Sequence, residues 1–171
     1  MDVVAVVVLV VLLATYITWT AQRLDRLHAR VDAAWAALDA QLVRRAAAAR
    51  ALALVLPPGP AAEALERAAT GSLAGGPVAR EAVENDLSRA LHAVLPTVVP
   101  PGHEELLDEL EAAVTRVGLA RAFHNVAVRD TRAVRFRRMP RALRLAGRRS
   151  MPQPFDIDDT ALPRRRPRAV P

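Results

Sequence analysis

The chain has 171 residues and no cysteine, which excludes disulfide bonds, thiolate metal sites, iron–sulfur clusters and cysteine nucleophiles. All 24 basic residues are arginine, and the net charge of +6 suggests an anionic partner. Without lysine there is no Walker-type phosphate loop. Alanine outnumbers the β-branched residues beyond the first 20 positions, which favours helices over strands. We therefore predict an all-α protein.

The first predicted element is a transmembrane anchor over residues 1–21. Residues 3–21 carry no charge, and eleven of these 19 residues are Val, Leu or Ile. As a helix they reach roughly 28 Å, which is close to the hydrocarbon thickness of a bilayer. A cleaved signal peptide is the alternative, but only Met1 and Asp2 precede the apolar run, so the usual basic segment is missing. We expect residues 3–21 to lie in the lipid bilayer.

The orientation of this anchor follows from its flanks. Arg23, Arg26 and Arg30 lie just after the span, and no basic residue precedes it. Basic residues stay on the cytoplasmic side of membranes. The pattern predicts a single-pass protein of the cell membrane, with its N-terminus outside and the rest in the cytoplasm.

Three helical runs of about 35 residues follow, separated by turns rich in proline. The first, residues 22–56, has no Gly or Pro and continues directly from the span. The second is residues 61–95 and the third is residues 103–138. Equal lengths joined by short turns predict a cytoplasmic antiparallel bundle over residues 22–138, made of three long helices.

One segment leaves the course of the chain open. Residues 71–77 (GSLAGGP) either kink the second helix or reverse it. With three crossings, the end of the last helix would lie roughly 50 Å from the membrane. A reversal gives four crossings and returns that end to the lipid. Residues 139–150 form a short basic amphipathic segment that could add a short fourth helix, and the Pro- and Arg-rich residues 151–171 predict a disordered tail.

Several motifs, in order and at matching spacing, resemble the LemA family of membrane-anchored bacterial proteins. They include RVDAAW at 30–35, DAQLVRR at 39–45, ENDLSRAL at 84–91, HNVAVRD at 124–130 and PFD at 154–156. The resemblance implies a short outside N-terminus, one span and an antiparallel helical bundle. It implies no established enzymatic activity.

Polar residues of these motifs form the first candidate site. If the helices run down, up and down from the membrane, five of them gather in its proximal half: Asp32, Asp39, Asn85, Arg116 and Arg121. We predict that this structural polar layer fixes the helix register, with Asp39 or Asp32 paired to Arg116 or Arg121.

Arginines at the end of the third helix form the second candidate site. Residues 129–149 contain a single acid, Asp130, and nine arginines that form a basic partner-binding patch: Arg129, Arg132, Arg135, Arg137, Arg138, Arg141, Arg144, Arg148 and Arg149. A solvated basic face, an acidic protein, an anionic lipid and a nucleic acid all remain open as explanations.

No catalytic, cofactor or metal site is predicted. Asp25, His28 and Asp32 share a helix face, but exposed polar surface explains that spacing better than a metal does. Ser88 has no base at a recognisable spacing. We predict a membrane-tethered scaffold or protein-interaction module rather than an enzyme, with an unidentified protein as partner. The alternative is a regulator that binds nucleic acid or anionic lipid through its arginine-rich end.

Overall fold

A computed structural model describes residues 2–76, 79–94, 100–136 and 150–158. Over these ranges it contains four helices and no strand, so the predicted all-α class is confirmed. The helices are α1 (Asp2–Val55), α2 (Pro60–Ala74), α3 (Arg80–Val94) and α4 (Glu104–Arg135). A short fourth helix is predicted within residues 139–150. All of these residues except Ser150 lie outside the described ranges.

The first helix confirms the predicted continuity between the apolar segment and the bundle. α1 runs without interruption from Asp2 to Val55, because no glycine or proline occurs before Pro57. It is long and apolar enough to cross a membrane, and it is the one such helix in the described chain. Only 6% of its most apolar window is buried within the protein, so this part of α1 is not a core helix.

The chain divides into two compact units. The first unit combines residues 1–36 with residues 123–154. In it, α4 packs on α1 through the buried side chains Val31, Ala127 and Val128. The Thr131 hydroxyl, 3.4 Å from the Leu27 carbonyl oxygen, donates a hydrogen bond to it.

The second unit combines residues 37–122 with residues 155–171. One apolar core joins all four helices within it, from Ala46–Ala53 of α1 and Leu56 just after it, through α2 and α3, to Leu107 and Leu110 of α4. Alanines line the α1 side of this core. Small side chains there bring the helices close together and leave the filling of the core to leucines.

The second predicted helix is two helices, because the chain reverses after α2. The Ser72 hydroxyl near the end of α2 lies 2.6 Å from a carboxylate oxygen of Glu84, in the second turn of α3. Twelve residues of straight helix would separate these positions by about 18 Å, so α2 and α3 form a helical hairpin. A Cβ at Gly75 would meet Val83 Cγ2 at 2.9 Å, so glycine permits this close approach. The described residues therefore form four helices, two of them short, and the predicted arrangement of three long helices is corrected.

The described part of the C-terminal region also differs from the expected disordered tail. Phe155 and Ile157 are each 4% exposed. Two side chains of α3 accept hydrogen bonds from the backbone of this segment. Glu81 accepts from the Asp156 amide at 2.9 Å, and Asn85 accepts from the Asp158 amide at 2.7 Å. Residues 155–158 therefore lie in extended form against the second unit, with alternate side chains buried.

Candidate functional site

A buried ion pair lies at the centre of the second unit. Arg45 of α1 and Glu84 of α3 are almost completely buried, and 2.6 Å separates Arg45 Nη2 from Glu84 Oε2. The guanidinium also lies 3.3 Å from the Glu84 carbonyl oxygen. A buried charge is tolerated only when it is paired and hydrogen-bonded, so these two residues fix the position of α3 on α1.

Two serines complete the coordination of this pair. Ser72 donates to Glu84 Oε1 at 2.6 Å, which occupies the second carboxylate oxygen. Ser88 accepts from Arg45 Nη1 at 3.3 Å and donates to the Glu84 carbonyl at 3.0 Å. Residues from α1, α2 and α3 thus pair the terminal nitrogens of Arg45, both carboxylate oxygens of Glu84 and the two serine hydroxyls in one buried polar network.

Arg80 extends the cluster to the reversal after α2. Its Nη1 donates to the Ser72 carbonyl at 2.8 Å, at the C-terminal end of α2, where a helix presents unpaired carbonyls. Its Nε lies 3.4 Å from Glu84 Oε1, and its Nη2 lies 3.0 Å from Asp39 Oδ1 on α1. Two arginines face two carboxylates, so the cluster of Asp39, Arg45, Arg80 and Glu84 is electrically balanced.

Three residues of the predicted polar layer have other partners in the structure than the prediction gives them. The ion-pair partner of Asp39 is Arg80, where Arg116 or Arg121 was expected. Arg121 lies 3.5 Å from Asp156 and donates to the Ile157 carbonyl at 3.2 Å, so it holds the C-terminal segment. Asn85 also binds that segment.

Asp32 and Arg116 are both exposed. Asp32 belongs to the first unit and Arg116 to the second, and a role for either in fixing the register stays a prediction.

Four residues of this cluster are absent from the sites that the sequence predicts: Arg45, Ser72, Arg80 and Glu84. A signal exists for the ion pair, because Arg45 falls between Leu42 and Ala49 on the apolar face of α1. Glu84 likewise precedes Leu87 and Leu91 at helical spacing. A charged residue inside an apolar face indicates a buried pair when an opposite charge occupies the same place on another helix.

The predicted basic patch is described at three of its nine positions. Arg129 is exposed, and Arg132 and Arg135 are half-buried on α4. The other six lie outside the described residues: Arg137, Arg138, Arg141, Arg144, Arg148 and Arg149. Arg135 Nη1 donates to the Ser150 carbonyl at 2.8 Å and lies 3.4 Å from His28 Nε2. Arg135 therefore sits beside the part of α1 that directly follows the apolar segment.

His28 is buried between these groups. Its Nδ1 lies 2.8 Å from the Leu24 carbonyl, one helical turn earlier. With a proton on Nδ1, the ring donates to that carbonyl and accepts from Arg135 through Nε2. Because both ring nitrogens are engaged, His28 serves to position Arg135.

A second histidine, His124, packs against Trp35 in the first unit. The rings of Trp35 and His124 meet edge to face, with 5.4 Å between their centroids. His124 Nε2 donates to the Gln153 carbonyl at 3.4 Å. Burial lowers the pKa of His124 below its ordinary value, and the hydrogen bond to Gln153 opposes this only in part. His124 is therefore a packing residue whose environment favours the neutral ring.

In the part of the chain that the structure describes, no three His, Asp or Glu side chains come together to hold a metal ion. In the charged cluster, Arg45, Arg80 and Glu84 are buried and both carboxylate oxygens of Glu84 are paired within the protein, so these oxygens face the cluster rather than a ligand. No protein-family model, curated protein or solved structure matches this chain.

Proposed function

We propose that this protein is a membrane-tethered helical scaffold, a protein-interaction module of the LemA type. The main support is the continuity of α1. Its first turns are apolar and exposed, and they continue without a break into packed helix that ends at Val55. A signal peptidase would have to cut within this helix, in contrast to the flexible site that follows a cleaved signal. The order of motifs at 30–35, 39–45, 84–91, 124–130 and 154–156 supports the LemA type.

The proposed topology places the N-terminus outside the cell membrane and the helical bundle in the cytoplasm. Arg23, Arg26 and Arg30 follow the span, and α4 brings Arg132 and Arg135 to the same part of α1. Basic residues next to a span stay on the cytoplasmic side. All of these arginines therefore favour the same orientation.

A scaffolding role without catalysis fits the chemistry of the second unit. Its two clustered acids, Glu84 and Asp39, are each paired with an arginine, whereas an acid–base catalyst needs a titratable group directed at a substrate. Exposed aliphatic side chains remain at Leu54 and Leu119 for contact with a partner protein.

Two reporters fused after Pro171 test the tether and its orientation. We expect a reporter that folds only in the cytoplasm to be active and a reporter that needs export to be silent. Membrane fractionation of the same cells should retain the chain in the pellet after a high-salt wash. Release into the soluble fraction would contradict the tether, and an active exported reporter would contradict the orientation.

Photo-crosslinkers at Leu54 and Leu119 in intact cells test the scaffold role. The same crosslinker at exposed Arg67 serves as the control. The proposal expects a discrete protein adduct from at least one aliphatic position. Adducts that are equal at all three positions would contradict a specific contact.

The second candidate function is regulation through the arginine-rich end, which would bind either anionic lipid or nucleic acid. The position of Arg135 bears on the choice between these two ligands. This arginine lies beside His28, seven residues after the predicted end of the span at Ala21. That position favours anionic lipid over nucleic acid as the partner of the basic end.

A further inference from the structure

Six arginines of the first unit lie on two helices that pack together next to the span. We call them the juxtamembrane arginine surface: Arg23, Arg26 and Arg30 of α1, and Arg129, Arg132 and Arg135 of α4. Two contacts fix the register of the helices, Thr131 with the Leu27 carbonyl and Arg135 with His28. The last turn of α4 is therefore level with residues 27–28 of α1.

The height of this surface above the membrane follows from the helical rise. His28 is seven residues past Ala21, which is about 10 Å along α1. The headgroup layer accounts for about 5–8 Å on each side of a bilayer. The field of anionic headgroups extends about 8 Å further at physiological salt. Arg132 and Arg135 therefore stand within reach of the headgroups.

The aromatic side chain of Trp19 supports this placement. Trp19 is exposed, and the Arg23 guanidinium lies over its ring, 5.6 Å from the centroid. Tryptophan prefers the boundary between hydrocarbon and headgroups. With Trp19 at that boundary, Arg23 lies about 6 Å along α1, in the headgroup layer, and Arg26 about 10 Å along it, within the field of the headgroups.

Positive charge is concentrated in this unit. Residues 22–36 and 123–136 contain six arginines against three acids, Asp25, Asp32 and Asp130. Asp130 is offset by Arg30, 3.8 Å away, in a pair of exposed side chains. Residues 37–122 have the opposite balance, with eight arginines against eleven acids. An anionic partner is therefore attracted to the residues next to the span.

We propose that the juxtamembrane arginine surface binds the headgroups of anionic phospholipids in the membrane that α1 crosses. This inference rests on the membrane tether proposed above. Arginine suits the ligand, because its planar guanidinium donates two hydrogen bonds to one phosphate. A nucleic acid is the less favourable ligand, since it would have to approach a lipid surface of its own charge.

The test uses the full chain reconstituted in vesicles. Ala133 is exposed on α4, and the chain has no cysteine, so Ala133→Cys provides a single thiol for a fluorophore. The quencher is a nitroxide at the top of a phospholipid acyl chain, attached either to phosphatidylglycerol or to phosphatidylcholine at equal mole fraction. We expect the phosphatidylglycerol form to quench more strongly, by about fivefold, the ratio that one arginine near an anionic surface supplies.

Two variants and a control locate the effect. Arg129→Gln combined with Arg132→Gln should bring the ratio of quenching by phosphatidylglycerol to quenching by phosphatidylcholine close to one. Arg26→Gln, an exposed position on the other helix, should lower it independently. The control combines Arg44→Gln with Arg50→Gln, which removes the same charge from exposed positions of α1 in the second unit. It should keep the preference.

The outcomes separate this inference from the tether. Equal quenching by both lipids, in a chain that floats with the vesicles, would overturn the headgroup site and leave the tether intact. Failure to float with either vesicle would overturn both. If the control lost its preference for phosphatidylglycerol as fully as the variants of the juxtamembrane arginine surface, net charge alone would explain the effect. That result would contradict a binding site at this surface. Displacement of the lipid by added RNA or DNA at about 0.15 M salt would assign the surface to nucleic acid.

Discussion

Arg135, in the last turn of α4, lies beside His28 near the start of the chain, with 3.4 Å between Nη1 and Nε2. The contact joins residues 107 positions apart and places the end of the last helix next to the residues that follow the apolar segment. The positive charge of Arg135 is thereby brought next to the residues of α1 that follow the apolar segment.

The buried pair of Arg45 and Glu84 makes a strong prediction about stability. Glu84→Gln leaves the Arg45 guanidinium buried without a counter-charge, and we expect a loss of about 3 kcal/mol in the free energy of unfolding. The control is Asp86→Asn, which breaks the exposed pair with Arg89 on the same helix and should cost less than about 1 kcal/mol. Urea unfolding of the full chain in micelles, followed by helical circular dichroism, measures both. Equal small losses would contradict a structural role for the buried pair.

The reversal between α2 and α3 predicts a difference between two neighbouring glycines. A Cβ at Gly75 would lie 2.9 Å from Val83 Cγ2, whereas a Cβ at Gly76 meets nothing within 4 Å. We expect Gly75→Ala to destabilise the protein by about 1–3 kcal/mol through overpacking. Gly76→Ala should be close to neutral. A stabilising effect of Gly75→Ala in the same unfolding measurement would contradict the hairpin geometry.

The described C-terminal segment predicts a clear contrast between two phenylalanines. Phe155 is 4% exposed and Phe136 is 58% exposed. We expect Phe155→Ala to cost about 3 kcal/mol, as for a core phenylalanine. The exposed counterpart, Phe136→Ala, should cost less than about 0.5 kcal/mol. If both substitutions were equally mild, residues 155–158 would not be packed in solution.

The lowered pKa of His124 predicts a loss of stability in mild acid. Because the folded protein holds this pKa below about 6.5, the unfolded chain binds the proton first as the pH falls. Stability is therefore complete above that value and declines as the pH falls from about 6.5 towards the lowered pKa. His124→Gln keeps a donor for the Gln153 carbonyl and should reduce the decline, whereas His92→Gln should leave it unchanged. An unaltered pH dependence in the first variant would show that His124 is not responsible.

Some features of this fold follow from the sequence and others depend on tertiary contacts. The continuity of α1 was predictable, since apolar periodicity runs on from the span and no glycine or proline interrupts it before Pro57. The reversal at Gly75 was not, because a glycine-rich segment permits both a kink and a hairpin. Packing between α2 and α3 decides which one forms.

The buried charges were missed for a related reason. Arginine and glutamate are almost never fully buried unless they are paired, and the partners of Arg45 and Glu84 lie on different helices. Residues 155–158 were assigned to a disordered tail on composition. The alternation of Phe155 and Ile157 with two aspartates was the available signal for an extended segment with one buried side.

The return of α4 to the start of the chain is tested most directly by a distance measured in the membrane. Ala29 and Ala133 are exposed on α1 and α4, and cysteines at both positions would be the only two thiols in the chain. Spin labels there, in the full chain reconstituted in bilayers, should give a single distance of roughly 20 Å, since packed helices lie 8–10 Å apart and the labels add their own length. A distance near 50 Å, the length of a 35-residue helix, would place the end of α4 at the opposite end of the bundle and contradict the account.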